Sequence, residues 1–334
     1  MLIVVLLTLL AMEFGFRATR DAIKGSPWIA RAENVDDREL GWVLNPAKKR
    51  VVKSNACGET VVRDAAASKY LMKAPRSQSG TTVLFLGDSY TQGTEVSTDR
   101  LYYTVFEAKS NGRYRVYAAG VGGYGTPQEY LLLKKVVGAA NPKVLFWQLS
   151  SNDVAENVFH GRDLSTVQKP RPYYDPASTT FTVRDPSTWI LQHSELAKYT
   201  FGELLKIDRK FELGLNRLLL LGDNVDATQA ADRLARGLEV MDRLVGRVVR
   251  EHPGLIVIGF AVDEMSPAAY RQIFEKHGAL FVSDLPGSIR RSGARIDCAP
   301  VDSHWNHEGN RIAGELLLEY ALDRVRPAAD VPGK

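Results

Sequence analysis

The sequence predicts an α/β fold: a three-layer α/β/α sandwich around a mainly parallel, five-stranded sheet. Short apolar runs rich in β-branched and aromatic residues recur at 82–86, 114–119, 143–149, 255–261 and 279–282, each the length of a buried strand. Segments with helical periodicity separate them, so strands and helices alternate and the strands run parallel. Loops rich in Gly, Ser, Asn and Asp follow the first three runs, at the edge where open α/β sheets hold ligands.

Taken in order, the chain begins with Met1 to Met12, uninterrupted apolar residues or Thr, followed by Glu13, Phe14, Gly15, Phe16 and Arg17. The run is shorter than the ~17–25 residues of a spanning helix, and no clear small-x-small cleavage site follows it. Residues 1–16 are therefore expected to be an uncleaved signal anchor, a membrane helix holding an exported domain. Arg17, Arg20 and Lys24 follow the run, and the positive-inside rule applied literally would instead keep the domain in the cytoplasm. Residues 17–80 read as a lead segment, with Gly41-Trp42-Val43-Leu44-Asn45-Pro46 and Val61-Val62-Arg63 as short extended pieces packed on a main domain at 81–328.

Within that domain, Leu101 to Ala108 is helix-like. Thr126-Pro127-Gln128-Glu129 fits a capping box with proline at the first helical position, opening a helix through Val137, and Ser266-Pro267 opens another in the same way. An insertion at about 160–222 breaks the rhythm. Lys169-Pro170-Arg171-Pro172-Tyr173-Tyr174-Asp175-Pro176 reads as loop, Phe181-Thr182-Val183 as a hairpin strand, and 190–206 and 211–221 as helices. Tyr173, Tyr174 and Trp189 are placed either to stack on a sugar or acyl chain or simply to pack the insertion down. Helix 228–251 carries Leu234, Leu238, Met241, Leu244, Val245 and Val248 on one face, which is core periodicity. The last helix, about Glu308 to Leu322, turns Ile312, Ala313, Leu316, Leu317 and Tyr320 inward.

Composition narrows the function classes. Of 334 residues, 45% are hydrophobic and 25% charged, which fits an ordinary globular core. The net charge of +4 is modest, and Arg233, Arg236, Arg243, Arg247 and Arg250 read as a solvated helix face. No nucleic-acid-binding signature is present. The two cysteines, Cys57 and Cys298, either pair in an oxidising compartment or remain separate thiols. No Cys/His spacing points to a metal, and no cofactor is expected. Gly120-Val121-Gly122-Gly123-Tyr124-Gly125 lacks the spacing of a dinucleotide fingerprint.

The chemistry concentrates in four places. Phe85-Leu86-Gly87-Asp88-Ser89-Tyr90-Thr91-Gln92-Gly93 puts a serine at the end of the first core strand, and Val301-Asp302-Ser303-His304-Trp305-Asn306 precedes the last helix. Serine needs a base to become a nucleophile, and imidazole titrates in the right range. Ser89, His304 and an aspartate thus form a nucleophile, base and orienter set. Between them, the loops at 120–125 and Ser150-Ser151-Asn152-Asp153 offer a backbone N–H and a side-chain amide to a developing oxyanion.

In this order the four blocks resemble those of the SGNH (GDSL-type) hydrolase family, over roughly Thr82 to Ala328. The resemblance implies Ser89 as nucleophile, His304 as base, and an oxyanion hole from Ser89, Gly123 and Asn152. It departs from the family pattern twice. Position 301, where the family usually has Asp, is Val, so Asp302 is taken as orienter with Asp297 as the fallback. The third block usually begins with Gly but here begins with Ser150.

Asp88 and Asp153 are read as partners of backbone N–H groups, Gly122 and Gly125 as turn residues, and His307 as structural. His160, His193, His252 and His277 carry no signal. The expected activity is a serine esterase on an O-acylated carbohydrate, such as an O-acetylated envelope glycan, or another small ester. Acyl transfer to a cell-envelope polysaccharide would use the same triad, and a catalytically inactive glycan-binding protein on the same scaffold is the reading from another class.

Overall fold

The computed structural model describes residues 8, 10–19, 33–75, 79–159, 170–185, 194, 227–264 and 267–325. Its lead segment contributes β1 (Asn34–Asp37), β2 (Gly41–Leu44), β3 (Val51–Ser54) and β4 (Thr60–Arg63), forming two antiparallel hairpins, β1–β2 and β3–β4. Next come β5 (Thr81–Gly87), α1 (Ser89–Gln92), α2 (Tyr102–Lys109), β6 (Tyr114–Gly120), α3 (Thr126–Ala140), β7 (Val144–Leu149) and α4 (Ser151–Glu156). The hairpin β8 (Arg171–Asp175) and β9 (Thr180–Arg184) leads on to α5 (Ala227–Glu251), β10 (Ile256–Ala261), α6 (Pro267–Lys276), β11 (Leu280–Val282) and α7 (Leu285–Arg291). The chain closes with β12 (Asp297–Cys298), β13 (Asp302–Trp305) and α8 (His307–Arg324).

The five expected core strands form one sheet, in the order β11-β10-β7-β5-β6, and every neighbouring pair is parallel. Successive residues of a strand face opposite sides, and this alternation divides the apolar side chains between two cores. Leu84 and Leu86 of β5 join Leu145 and Trp147 of β7 under α3, α5 and α6. Val83 and Phe85 join Phe146, Ile258 and Phe260 under α2, α7 and α8. Phe85 and Phe146 stack with centroids 4.9 Å apart. The order reverses at β5, because the chain moves out to β6 and then returns to β7 on the other side. Such a switch point opens a crevice at the carboxyl edge.

Several local expectations are corrected. The capping box at Thr126–Glu129 does not form. Gly125 is the N-cap of α3, and Glu129 instead accepts a hydrogen bond from the Trp147 indole at 2.8 Å in the core. Reciprocal capping occurs at α4, where the Ser150 N–H donates to Asp153 Oδ2 at 2.6 Å. The segment read as loop at 169–176 contains β8, paired with β9 from Arg171↔Arg184 to Asp175↔Thr180. A lone two-stranded ribbon leaves half of its N–H groups outside the ladder, which accommodates Pro172. Tyr173 and Tyr174, considered for gripping substrate, are only 8% and 7% exposed and pack the hairpin onto the domain. Leu234 is exposed, since α5 meets the domain only from Gly237 onward.

Trp189 and, Ser194 apart, the helices expected at 190–206 and 211–221 lie outside the described residues. So does part of the expected membrane segment, of which residues 8 and 10–16 are helical. Among the described residues no helix is long and apolar enough to cross a membrane.

The lead segment is fastened to the domain. Cys57, between β3 and β4, forms a disulfide with Cys298 of β12 across 241 residues of sequence. His307 Nε2 accepts the Ser97 N–H at 3.0 Å, so this histidine is structural, as the sequence suggested. A covalent link across so long a loop acts chiefly by restricting the unfolded chain. Replacing both cysteines with Ser is expected to lower the unfolding free energy by about 2–5 kcal/mol, read as a lower urea midpoint in non-reducing buffer. Coincident unfolding curves would show that the bridge does not constrain the chain.

Candidate active site

Ser89 is the first residue of α1, directly beyond β5. Asp88 caps this short helix, its Oδ1 accepting the Tyr90 N–H at 3.0 Å, while its own N–H donates to Gln148 Oε1 at 3.0 Å. Thr91 Oγ1 donates to the same Gln148 oxygen at 3.0 Å. The turn bearing the serine is thereby tied to the neighbouring strand β7. Ser89 keeps its N–H outside the helix ladder, as a first-turn residue must.

His304 comes from β13. Its Nε2 lies 2.8 Å from Ser89 Oγ, and its Nδ1 lies 2.7 Å from Asp302 Oδ1. The same carboxylate oxygen accepts the His304 N–H at 2.9 Å. A carboxylate can only accept, so Nδ1 carries the proton and Nε2 presents its lone pair to the serine. The two-residue spacing works because 302–305 is a strand, on which residues i and i+2 face the same way. Val301, where an aspartate three before the histidine would sit, is 78% exposed. Asp297, the fallback orienter, spends its Oδ1 on the Ala299 N–H at 3.1 Å. The Tyr90 ring packs against the imidazole with centroids 4.7 Å apart, and its hydroxyl donates to the Ser303 carbonyl at 3.2 Å.

The other two loops converge on the serine. A Cβ added to Gly122 would lie 3.6 Å from Ser89 Cβ, so the loop after β6 approaches Ser89 closely. Gly123 follows with φ +78°, a conformation that glycine adopts without strain. Among the described residues no hydrogen-bond acceptor engages the Gly123 N–H. Asn152, in the first turn of α4, has its amide nitrogen 3.4 Å from the Tyr124 carbonyl of that loop. Ser150 Oγ lies against Asn152 Oδ1 and 2.7 Å from Asp88 Oδ2, which orients the amide with its N–H₂ away from Asp88. Ser150 has φ −132° and ψ 169°, an extended backbone open to any residue, so glycine is not required there. Its hydroxyl joins the Ser89 turn to the Asn152 turn. That link, Gln148 and Gln92 were missed from sequence, because each acts through partners on distant elements.

Beneath these loops lie three fully buried carboxyl groups, Asp88, Glu129 and Asp153. Asp88 and Asp153 do hold backbone N–H groups, as expected from the sequence. Burial pushes Glu129 well above the usual carboxylate range, and the Asp88 charge adds to it. Asp153 is raised by burial and then by Glu129 and Asp88. Among the described residues no group of His, Cys, Asp and Glu is arranged to hold a metal ion.

No family model matches the chain, and no curated protein is similar to it. Solved structures are. One is a carbohydrate acetylesterase family member from Sinorhizobium meliloti, at 16% identity and TM-score 0.40, with 72% of this chain and 97% of that chain covered. Another is an acetylxylan esterase from Geobacillus stearothermophilus, at 16% identity and TM-score 0.39, covering 72% and 94%. A third, described as a GDSL-like lipase, comes from Parabacteroides merdae, at 14% identity and TM-score 0.39, covering 74% and 98%. At these TM-scores the likeness carries no argument about the chemistry, for which the hydrogen bonds above are the guide.

A carboxyl whose pKa is higher in the folded than in the unfolded state favours folding at low pH, and that advantage is lost as pH rises from the unfolded value through the folded one. Glu129, with an ordinary value of 4.5, is of this kind. Glu129→Gln is expected to gain stability relative to the parent as the medium moves from about pH 5 to about pH 8. Paired urea midpoints check this, and a pH-independent difference would exclude a raised Glu129.

Proposed function

We propose that this protein is a serine esterase in which Ser89 attacks the carbonyl of an acyl ester. The observation that carries the reading is the unbroken chain Ser89 Oγ–His304 Nε2–Asp302, at 2.8 Å and 2.7 Å. His304 takes the serine proton as Oγ bonds to the carbonyl carbon. It then returns that proton to the alkoxide oxygen as the ester C–O bond breaks, and the alcohol leaves. Water, deprotonated by the same imidazole, attacks the acyl-serine; the acyl C–Oγ bond then breaks as the imidazolium returns the proton to Ser89 Oγ, releasing the acid. Asp302 holds the imidazole tautomer and balances the imidazolium charge. The Ser89 N–H, the Gly123 N–H and the Asn152 amide serve the oxyanion, each worth ~3–4 kcal/mol of barrier in such sites.

The His304 side chain, which would hand its proton to the leaving alcohol, is 40% exposed, so the alcohol side of the site faces solvent. O-acylated carbohydrate, a bulky and hydrated alcohol, is the substrate class we favour. The Cys57–Cys298 bridge supports an exported domain, since such bonds persist in oxidising compartments.

The test is labelling with a fluorophosphonate followed by ester kinetics. Wild type should gain one adduct, and Ser89→Ala should gain none. Ser89→Ala and His304→Ala should each lower kcat/KM by on the order of 10⁴–10⁶-fold. Asp302→Asn should cost about 10⁴-fold, whereas Asp297→Asn should leave the rate near wild type. A folded wild type that neither labels nor cleaves acyl esters would remove the esterase reading.

A further inference from the structure

The donor whose direction is least secured by its own backbone is the Gly123 N–H. Glycine stands on both sides of this peptide. Beyond its 3.6 Å approach to Ser89 Cβ, a side chain at Gly122 would come within 3.0 Å of Gln92 Oε1, and Gly123 has φ +78°. Two adjacent glycines also leave the peptide between them free to rotate, because neither has a Cβ to restrict ψ or φ. An oxyanion hole works only if its donors are aimed before charge develops. Something outside the loop must therefore hold this peptide.

The lead segment does so. Trp42 of β2 donates its indole N–H to the Gly122 carbonyl at 3.0 Å, across 80 residues of sequence. The carbonyl of Gly122 and the N–H of Gly123 belong to one planar, trans peptide unit and point in opposite directions. Drawing the carbonyl toward Trp42 turns the N–H away from it. The preceding peptide is held separately, the Gly122 N–H donating to Gln92 Oε1 at 2.6 Å. Both arms return to the β1–β2 hairpin, because Gln92 Nε2 donates to Asn34 Oδ1 at 3.2 Å.

The indole is itself fixed. Tyr124 meets it edge-on with centroids 5.6 Å apart, and its hydroxyl donates to the Trp42 carbonyl. The Arg171 guanidinium lies 5.1 Å from its ring centroid. A hydrogen bond accepted by the carbonyl also polarises the peptide, making its N–H a better donor.

We infer that Trp42 is a positioning residue for ester cleavage, aiming the Gly123 N–H at the oxyanion, and that the β1–β2 hairpin is part of the active site. The inference rests on the esterase reading above. Trp42 touches no reacting atom, and its effect passes entirely through the Gly122–Gly123 peptide.

Trp42→Phe keeps an aromatic ring and removes the N–H; Gln92→Met keeps length and removes the other arm. Rates are measured on the full chain and expressed per serine titrated by fluorophosphonate, so a partly unfolded sample does not count as a slow one. Trp42→Phe is expected to lower kcat by about 10–100-fold, less than outright removal of a donor, with KM nearly unchanged. The affinity for an alkyl boronic acid, whose tetrahedral serine adduct mimics the oxyanion, should fall by a similar factor. Because both arms act on one loop, the double variant should lose less than the product of the single losses.

Wild-type kcat per titrated serine together with wild-type boronate affinity in Trp42→Phe would overturn the inference while leaving the esterase reading intact. If Trp42→Phe does not fold, Gln92→Met decides on the same two readouts. A wild type that fails to label would remove the esterase reading, and this inference with it.

Discussion

The geometry of the site depends on one constraint, the parallel register of β5 with its two neighbours. Gly87 pairs with Gly120, and Leu86 pairs with both Ala119 and Trp147, so three strands end at nearly the same level. Parallel strands send all of their carboxyl ends to one edge. The loops bearing Ser89, Gly123 and Asn152 must therefore emerge side by side, although they lie far apart in sequence. Apolar alternation sets the register, since a slip of one residue would exchange Leu84 and Leu86 with Val83 and Phe85 between the two cores. Core packing thus fixes the spacing of these three loops before any polar contact is made.

The histidine arrives by another route. His304 stands on the short strand β13, outside the main sheet, and β13 is placed by its neighbours at both ends. Asn306 caps α8, its Oδ1 accepting the N–H groups of Glu308 and Gly309 at 3.0 Å each, while its amide donates to the Arg295 carbonyl at 2.8 Å. Trp305 is buried against Tyr90 and Tyr102. On the far side, the disulfide joins β12 to the lead segment. The lead segment therefore braces the histidine loop through Cys57 and reaches the glycine loop through Trp42.

Much of this was legible in the sequence because it depends on local pattern. All five sheet strands followed from apolar runs, and Ser89, His304 and Asn152 from residue types in order along the chain. Asp302 was legible too, although the reason for its spacing, two side chains on one face of a strand, required knowing that 302–305 is extended. The errors have a common physical origin. Thr126–Glu129 has the composition of a capping box, but Glu129 found a stronger partner in Trp147, a contact between elements that no local window contains. Pro170–Pro176 has the composition of a loop, yet an isolated ribbon tolerates proline where a central strand does not. Trp42 carried no local signal, since its importance lies in a hydrogen bond to a residue 80 positions away.

The polar layer under the site explains why this edge of the sheet carries groups that a stability-optimised core would avoid. Asn152 meets Ser150, Ser150 meets Asp88, and the Asp88 N–H meets Gln148, which also takes the Thr91 hydroxyl. Thr91 in turn pairs with the Tyr102 hydroxyl at 2.7 Å. The chain runs from a half-buried amide to a fully buried phenol. Among the described residues Glu129 Oε1, Asp153 Oδ1 and Gln148 Nε2 lack a partner, and each such buried group costs about 1–3 kcal/mol. An apolar filling would be cheaper but would leave Asn152 and the nucleophile turn free to reorient independently. A hydrogen-bonded layer has directions as well as volume, and a site that must aim several donors at one oxygen needs those directions fixed in advance.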